Sequence, residues 1–178
     1  FEFDLMRSKK EDLRINHNKN LINKVKKSDF IFFLAFDVGG SRYLKKYQNT
    51  FKFISNNIKI IENSFEIIKK YKKPFLFASS QMSNMSYSPY GLLKNIGEKY
   101  TGILGGLVVK FWNVYGIEKD LKKSHVVTDF ILMSLKNNKI KMLTNGQEKR
   151  DFLYAEDCCE GLEQILINFN KIKKVKKS

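Results

Sequence analysis

Lys72-Lys73-Pro74-Phe75-Leu76-Phe77-Ala78-Ser79-Ser80, followed by Tyr90-Gly91-Leu92-Leu93-Lys94, is the stretch that decides the fold. Its first part is an unbroken apolar run closed by two hydroxyls, the pattern of a strand buried on both faces in a parallel sheet. Its second part opens a helix that continues through Asn95 to Tyr100. Gly105-Gly106-Leu107-Val108-Val109-Lys110-Phe111-Trp112 then reads as the next strand. Strand, helix, strand is a βαβ unit, and reactive groups collect at the carboxyl ends of such strands. Tyr90 and Lys94, four residues apart, share one helix face. An ammonium near a phenol favours the phenolate. A hydroxyl at the strand end can hold a substrate oxygen beside that phenol, so the three groups together can move a proton at a carbinol or carbonyl. A Tyr-x-x-x-Lys pair alone arises by chance in a Lys-rich chain, and its place after a buried strand is what gives it weight.

Working outward, Phe1 to Leu5 reads as a short strand. Lys9 to Lys27 is a polar helix with Leu13, Leu21, Ile22 and Val25 at helical spacing. Asp29 to Ala35 is a second buried strand, and Gly39-Gly40 marks the turn after it. From Tyr43 to Tyr71 one long helix is expected, its apolar face carrying Phe51, Phe53, Ile54, Ile58, Ile61, Phe65 and Ile68. Val126 to Asn137 reads as helix, Lys139 to Thr144 as a short strand and Asn145-Gly146 as a turn. Phe152 to Tyr154 is extended, and Asp157 is expected to cap a final helix with Leu162, Ile165 and Leu166. The alternation predicts an α/β fold with a parallel sheet.

The formal net charge is +15, with Lys spread through every segment and not gathered into one arm. That distribution argues for solvated faces and against nucleic acid as partner, and no aromatic-basic interleave of an RNA-binding kind is present. The two cysteines are adjacent, Cys158-Cys159, a spacing that suits neither a structural bridge nor a metal site. Without a signal peptide or a long apolar run, a cytoplasmic protein with no membrane partner is expected. His17 reads as a solvated residue of the first helix.

The whole series resembles the extended short-chain dehydrogenase/reductase family, the NAD-dependent nucleotide-sugar epimerases and dehydratases. Asp4-Leu5 resembles the acidic pair ending the family's third strand, whose Asp meets adenine. Phe33-Leu34-Ala35 with Gly39-Gly40 resembles the "hLAa…GG" element that lies along the dinucleotide. Asn57 falls where the family often has Asn. Ser79-Ser80 with Tyr90 and Lys94 matches the catalytic strand and helix. Phe111-Trp112-Asn113-Val114-Tyr115-Gly116 is similar to "R-x-x-N-V-Y-G-P", and Gly146 with Arg150-Asp151-Phe152 and Asp157 to "G-x-x-x-R-D-F-v-x-v-x-D".

The resemblance implies a Rossmann-like, doubly wound parallel sheet with part of a small C-terminal substrate subdomain. Residues 1–116 are expected to form a partial NAD(P)-binding domain and 117–178 a partial substrate-binding region. It further implies Ser80, Tyr90 and Lys94 as catalytic, with Ser79 and His125 as further candidates. Asp4, Leu5, Leu34, Ala35, Asn57, Tyr90 and Lys94 would meet NAD or NADP, with NAD favoured. Asn113 and Arg150 would meet a nucleotide-sugar substrate, and a homodimer would form through the helices at 49–71 and 90–104.

The departures are specific. No G-x-x-G-x-x-G loop is present, so the sequence is expected to be N-terminally incomplete and to lack the first βαβ unit, which would leave apolar sheet exposed. The step from Ser80 to Tyr90 is shorter than the family's usual loop, and Ile117 stands where the family has Pro. A 4,6-dehydratase needs an Asp-Glu pair after its catalytic hydroxyl, where this chain has Gln81 and Met82. Epimerase-reductases carry an acid-base His that His125 resembles, but their partner Cys would fall near Met82. A 4-epimerase demands only the hydroxyl, the Tyr, the Lys and bound NAD, and is the expected activity. The alternatives are a nucleotide-sugar reductase or epimerase-reductase, a 4,6-dehydratase, or a non-catalytic Rossmann-like binding protein.

Overall fold

The computed structural model describes residues 2–142 and 144–175. The elements run α1 (Lys19–Lys27), β1 (Ile31–Phe33), α2 (Ser41–Tyr47), α3 (Phe51–Tyr71), β2 (Phe75–Ser80), a 3-10 turn (Gln81–Asn84), α4 (Pro89–Ile103), β3 (Leu107–Phe111), β4 (Asn113–Tyr115), α5 (Val126–Asn137), β5 (Phe152–Tyr154), α6 (Ala155–Ile167) and α7 (Phe169–Val175). The fold is α/β with parallel strands throughout, as expected. One sheet has the order β1-β2-β3 and a second pairs β4 with β5.

Two compact units are present. The first comprises the residues up to Asp37 together with Tyr47–Phe111. Its central strand β2 is buried at every position, and Phe75, Leu76 and Phe77 are at most 1% exposed. Phe33, Phe65, Phe75 and Phe77 form one aromatic cluster, with Phe65 stacked on Tyr100 at 5.1 Å. Leu21 and Val25 of α1 pack on Ile67 of α3. The second unit comprises Val38–Lys46 and the residues from Trp112 onward. Here Gly40 donates to the Lys123 carbonyl at 2.9 Å, and a Cβ on Gly40 would fall 2.1 Å from the Ser124 carbonyl oxygen. Only glycine permits that approach.

Several boundaries differ from expectation. Residues 2–5 form no strand. Asp4 instead accepts the Met6 N–H at 2.8 Å and closes a turn. The first helix starts only at Lys19, because Asn18 caps it by accepting from the amides of Asn20 and Leu21. His17 precedes that cap in a left-handed conformation, φ 51°, and is therefore not helical. The long helix is two helices. Thr50 accepts from the Phe53 amide and starts α3 afresh. Among the described residues of 139–144 there is no strand. The helix expected at Asp157 begins at Ala155, which places Asp157 in its first turn, where a carboxylate suits the helix dipole.

Candidate active site

In the first unit, β2 ends by delivering Ser79 and Ser80, and α4 begins by delivering Tyr90. Ser88 caps α4, accepting the Gly91 amide at 3.1 Å, and Pro89 occupies the first turn. Tyr90 therefore sits in the first turn of α4. The Ser80 hydroxyl accepts the Met82 amide at 3.2 Å, and it is the polar neighbour that favours ionisation of the buried Tyr90 phenol. Having accepted from Met82, the hydroxyl keeps its own hydrogen to donate.

Ser79 takes a different partner. Its hydroxyl donates to Glu98 at 2.5 Å, and it does not join Ser80 at the phenol. Of the two hydroxyls, Ser80 is the one brought to Tyr90.

Lys94 is 4% exposed, and its Nζ donates to the Ala78 carbonyl at 2.7 Å. The ammonium lies 3.9 Å from the Phe36 ring centroid, 5.0 Å from that of Phe77 and 5.8 Å from that of Tyr90. Burial pushes Lys94 down to about 7. Burial also raises the Tyr90 phenol, with the Ser80 hydrogen bond working in the opposite direction. The expected lowering of Tyr90 by Lys94 does not appear: burial of the phenol sets the direction of its shift, and the influence that opposes it is Ser80.

A stability prediction follows from Lys94. Below about pH 7 both folded and unfolded chains hold its proton, and the buried charge costs stability. Between about 7 and the ordinary value of 10.5, the unfolded chain keeps a proton that the folded chain has lost, so stability rises with pH across that window. Lys94→Met should therefore stabilise the chain against urea more at about pH 6 than at about pH 9. Equal margins at the two pH values would mean that Lys94 stays charged in the fold.

Asn57 is fully buried, and all three of its side-chain hydrogen bonds are internal. It donates to the carbonyls of Asp37 at 3.0 Å and Phe53 at 3.1 Å, and accepts the Asp37 amide at 2.7 Å. Asn56 donates to the Asp37 carboxylate at 3.0 Å. The two asparagines thereby fix the segment after β1, which carries Leu34, Ala35 and Phe36. Leu34 is 49% exposed. Asp4 and Leu5 lie in the exposed turn described above.

Phe36 and Gly91 were not singled out from the sequence. Phe36 carried no signal beyond being an aromatic just past a strand. Gly91 did carry one, since glycine is disfavoured inside a helix. A Cβ there would fall 2.2 Å from the Met82 carbonyl oxygen, so glycine lets the 3-10 turn lie against α4.

The second unit contains a cavity of about 300 Å³ whose lining includes Arg42, Asn113, His125, Lys141 and Arg150. Asn113 donates to the Asp151 carbonyl at 3.1 Å, tying β4 to the segment that carries Arg150. His125 Nδ1 meets Glu118 at 2.5 Å, and its backbone amide donates to the same carboxylate. Burial pushes Glu118 up, but hydrogen bonds from His125 and Thr128 outweigh it and hold the carboxyl below its usual range. Arg42 is 3.5 Å from Asp129. Arg42, Lys141 and Arg150 line the cavity together with the carboxylates Asp129 and Glu148, which leaves an excess of positive charge there.

Among the described residues no helix is long and apolar enough to cross a membrane. The profile of the NAD dependent epimerase/dehydratase family matches residues 7–176. The chain is 26% identical over 159 residues to the Bacillus subtilis protein named "Uncharacterized UDP-glucose epimerase YtcB", covering 78% of this chain and 49% of that one. Among solved structures it resembles Pen from Bacillus thuringiensis, with TM-score 0.71 and 19% identity, over 87% of this chain and 48% of the other. It also resembles the UDP-glucose 4-epimerase of Bifidobacterium longum in complex with NAD+ and UDP. There the TM-score is 0.66 and the identity 13%, over 88% and 57% of the two chains. The chain spans about half the length of these relatives.

Proposed function

The chain belongs to the NAD-dependent epimerase/dehydratase family, and on that premise we propose that it is the catalytic part of a nucleotide-sugar 4-epimerase. The observation that carries this reading is the Ser80–Tyr90–Lys94 cluster, followed by Gln81 and Met82, which offer no acid-base group for dehydration.

The residues fit the nicotinamide-ribose end of a dinucleotide. Lys94 is a buried ammonium that spends one of its three N–H donors on Ala78 and has others to give to ribose hydroxyls. The sequence contains no G-x-x-G-x-x-G, so the pyrophosphate end finds no such loop in it. The chemistry that bound NAD supplies is reversible hydride acceptance. Tyr90 takes the proton from the sugar 4-hydroxyl and returns it after the 4-keto sugar has turned over. Ser80 donates a hydrogen bond to the oxygen whose charge changes. Lys94 holds the ribose and, when protonated, supports the phenolate. In the second unit, Arg150 supplies charge to a nucleotide diphosphate and Asn113 holds the strand beside it.

A homodimer through 49–71 and 90–104 is part of this proposal. Ile58 of α3 and Leu92, Ile96 and Tyr100 of α4 are each more than 40% exposed, which supports it. A monomer by light scattering at micromolar concentration would contradict it.

The test is product identity. The gene product that carries this chain is incubated with NAD and UDP-, GDP- and dTDP-sugars, and the products are read by NMR. Inversion at C4 is expected. A 4-keto-6-deoxy product would instead indicate a dehydratase, net oxidation of a reduced cofactor a reductase, and cofactor binding without conversion a non-catalytic binding protein.

A further inference from the structure

The turn that directs Ser80 is itself held by a polar network that takes no part in the proposed proton transfer. Ser83, in the middle of the 3-10 turn, is 3% exposed. Its hydroxyl accepts from Lys110 Nζ at 2.9 Å, and its carbonyl accepts from Asn95 Nδ2 at 3.2 Å. Lys110 also reaches Asn84 Oδ1 at 3.4 Å and forms an ion pair with Glu98 at 3.2 Å. Glu98 lies one turn beyond Lys94 on α4, and it accepts the Ser79 hydroxyl from the strand end. Lys110 sits on β3 directly opposite Ser79 in the sheet register. The Glu98–Lys110 pair therefore joins β2, β3, α4 and the turn at one point.

We propose that Glu98 and Lys110 are positioning residues: they clamp the Gln81–Asn84 turn so that its Met82 amide points the Ser80 hydroxyl at Tyr90. The chain of contacts is continuous. Lys110 holds Ser83, and Glu98 holds Lys110. The adjacent Met82 N–H donates to Ser80, which fixes the hydroxyl and leaves its hydrogen to be directed to the Tyr90 side. Gly91 completes the clamp from the helix side by admitting the Met82 carbonyl. Burial pushes the Glu98 carboxyl up, but hydrogen bonds from Ser79, Ser83 and Lys110 outweigh it and keep the group ionised, as an ion-paired clamp requires. This inference rests on Ser80 and Tyr90 being the reacting pair, but it can be tested without any turnover.

The test uses the chain labelled at tyrosine Cζ and at backbone nitrogen, with Lys110→Met, Glu98→Gln, Glu98→Ala and Ser80→Ala. In Lys110→Met and Glu98→Ala, hydrogen exchange at the Met82 and Met85 amides should quicken by about tenfold, with exchange at Ile61 and Phe65 in α3 unchanged. The Tyr90 Cζ resonance should move towards its position in Ser80→Ala. Neither substitution should move it further once Ser80 is alanine, because both act through that hydroxyl. Glu98→Gln, which keeps an acceptor, should show a smaller shift than Glu98→Ala. Should Glu98→Ala not fold, Lys110→Met carries the test, since that side chain is 37% exposed. Unchanged Met82 exchange, or a Tyr90 shift that adds to that of Ser80→Ala, would overturn the proposal. Intact clamp signals in a gene product that converts no sugar would count against the epimerase reading alone.

Discussion

If the chain is the proposed epimerase, Tyr90→Phe should slow sugar inversion by about 10²- to 10⁴-fold, the range that a positioned acid-base group contributes, while leaving the fold intact. The phenol oxygen is the only part of Tyr90 removed. The ring, edge-on to Phe36 at 5.9 Å, keeps its packing, so urea stability should move little. The loss should appear in kcat more than in KM, since the proton is exchanged as the carbinol reacts and not when the sugar binds. Ser80→Ala is expected to lose less, because it removes a hydrogen bond to the reacting oxygen and not the proton carrier. A Tyr90→Phe enzyme within a few-fold of wild type would remove Tyr90 from the chemistry.

The second large effect is structural. Phe65→Ala should cost about 3–5 kcal/mol, the usual penalty for emptying a buried aromatic site. Phe65 is 2% exposed and meets Phe33, Phe75, Phe77 and Tyr100. Aromatic pairs of this kind add about 0.5–1.5 kcal/mol beyond area burial. Phe75 and Phe77 lie on the strand that ends at Ser80, so the cavity would open beneath the site-bearing strand. Phe51→Ala makes the control. That ring is 87% exposed, and its removal should change stability by no more than about 0.5 kcal/mol. Comparable losses for the two substitutions in urea unfolding would contradict this placement of the core.

The parts of the fold legible in the sequence are those where burial and period coincide. Phe75 to Ala78 is apolar without interruption, follows a proline and lies at the centre of its sheet, so strand β2 and its exit at Ser80 could be read directly. Tyr90 and Lys94 followed from helix spacing together with their place after that buried strand. Strand β1 is shorter than its apolar run, because the Leu34 amide turns back to the Phe32 carbonyl. The break between α2 and α3 depends on the Thr50 side chain capping the second helix, a local bond that the apolar periodicity does not record. Phe3 was read as part of a strand, yet it packs on the Leu21–Val25–Ile67 cluster from an irregular segment. The Glu98–Lys110 pair was invisible because it depends on the sheet register that sets Lys110 beside Ser79, which no sequence pattern records. The desolvation of Lys94 was equally hidden, since Phe36 reaches it from beyond the end of another strand.

The central claim is that a sugar carbinol is oxidised and re-reduced at one carbon beside Tyr90. The most direct measurement gives the gene product a UDP-hexose carrying deuterium at C4 and follows the label by NMR and mass spectrometry. Expected is a C4-inverted product that keeps its deuterium at C4, without solvent hydrogen entering, and that fails to form with Tyr90→Phe. Inversion with loss of the label to solvent, or no inversion of any nucleotide sugar by a gene product that binds NAD, would contradict the account.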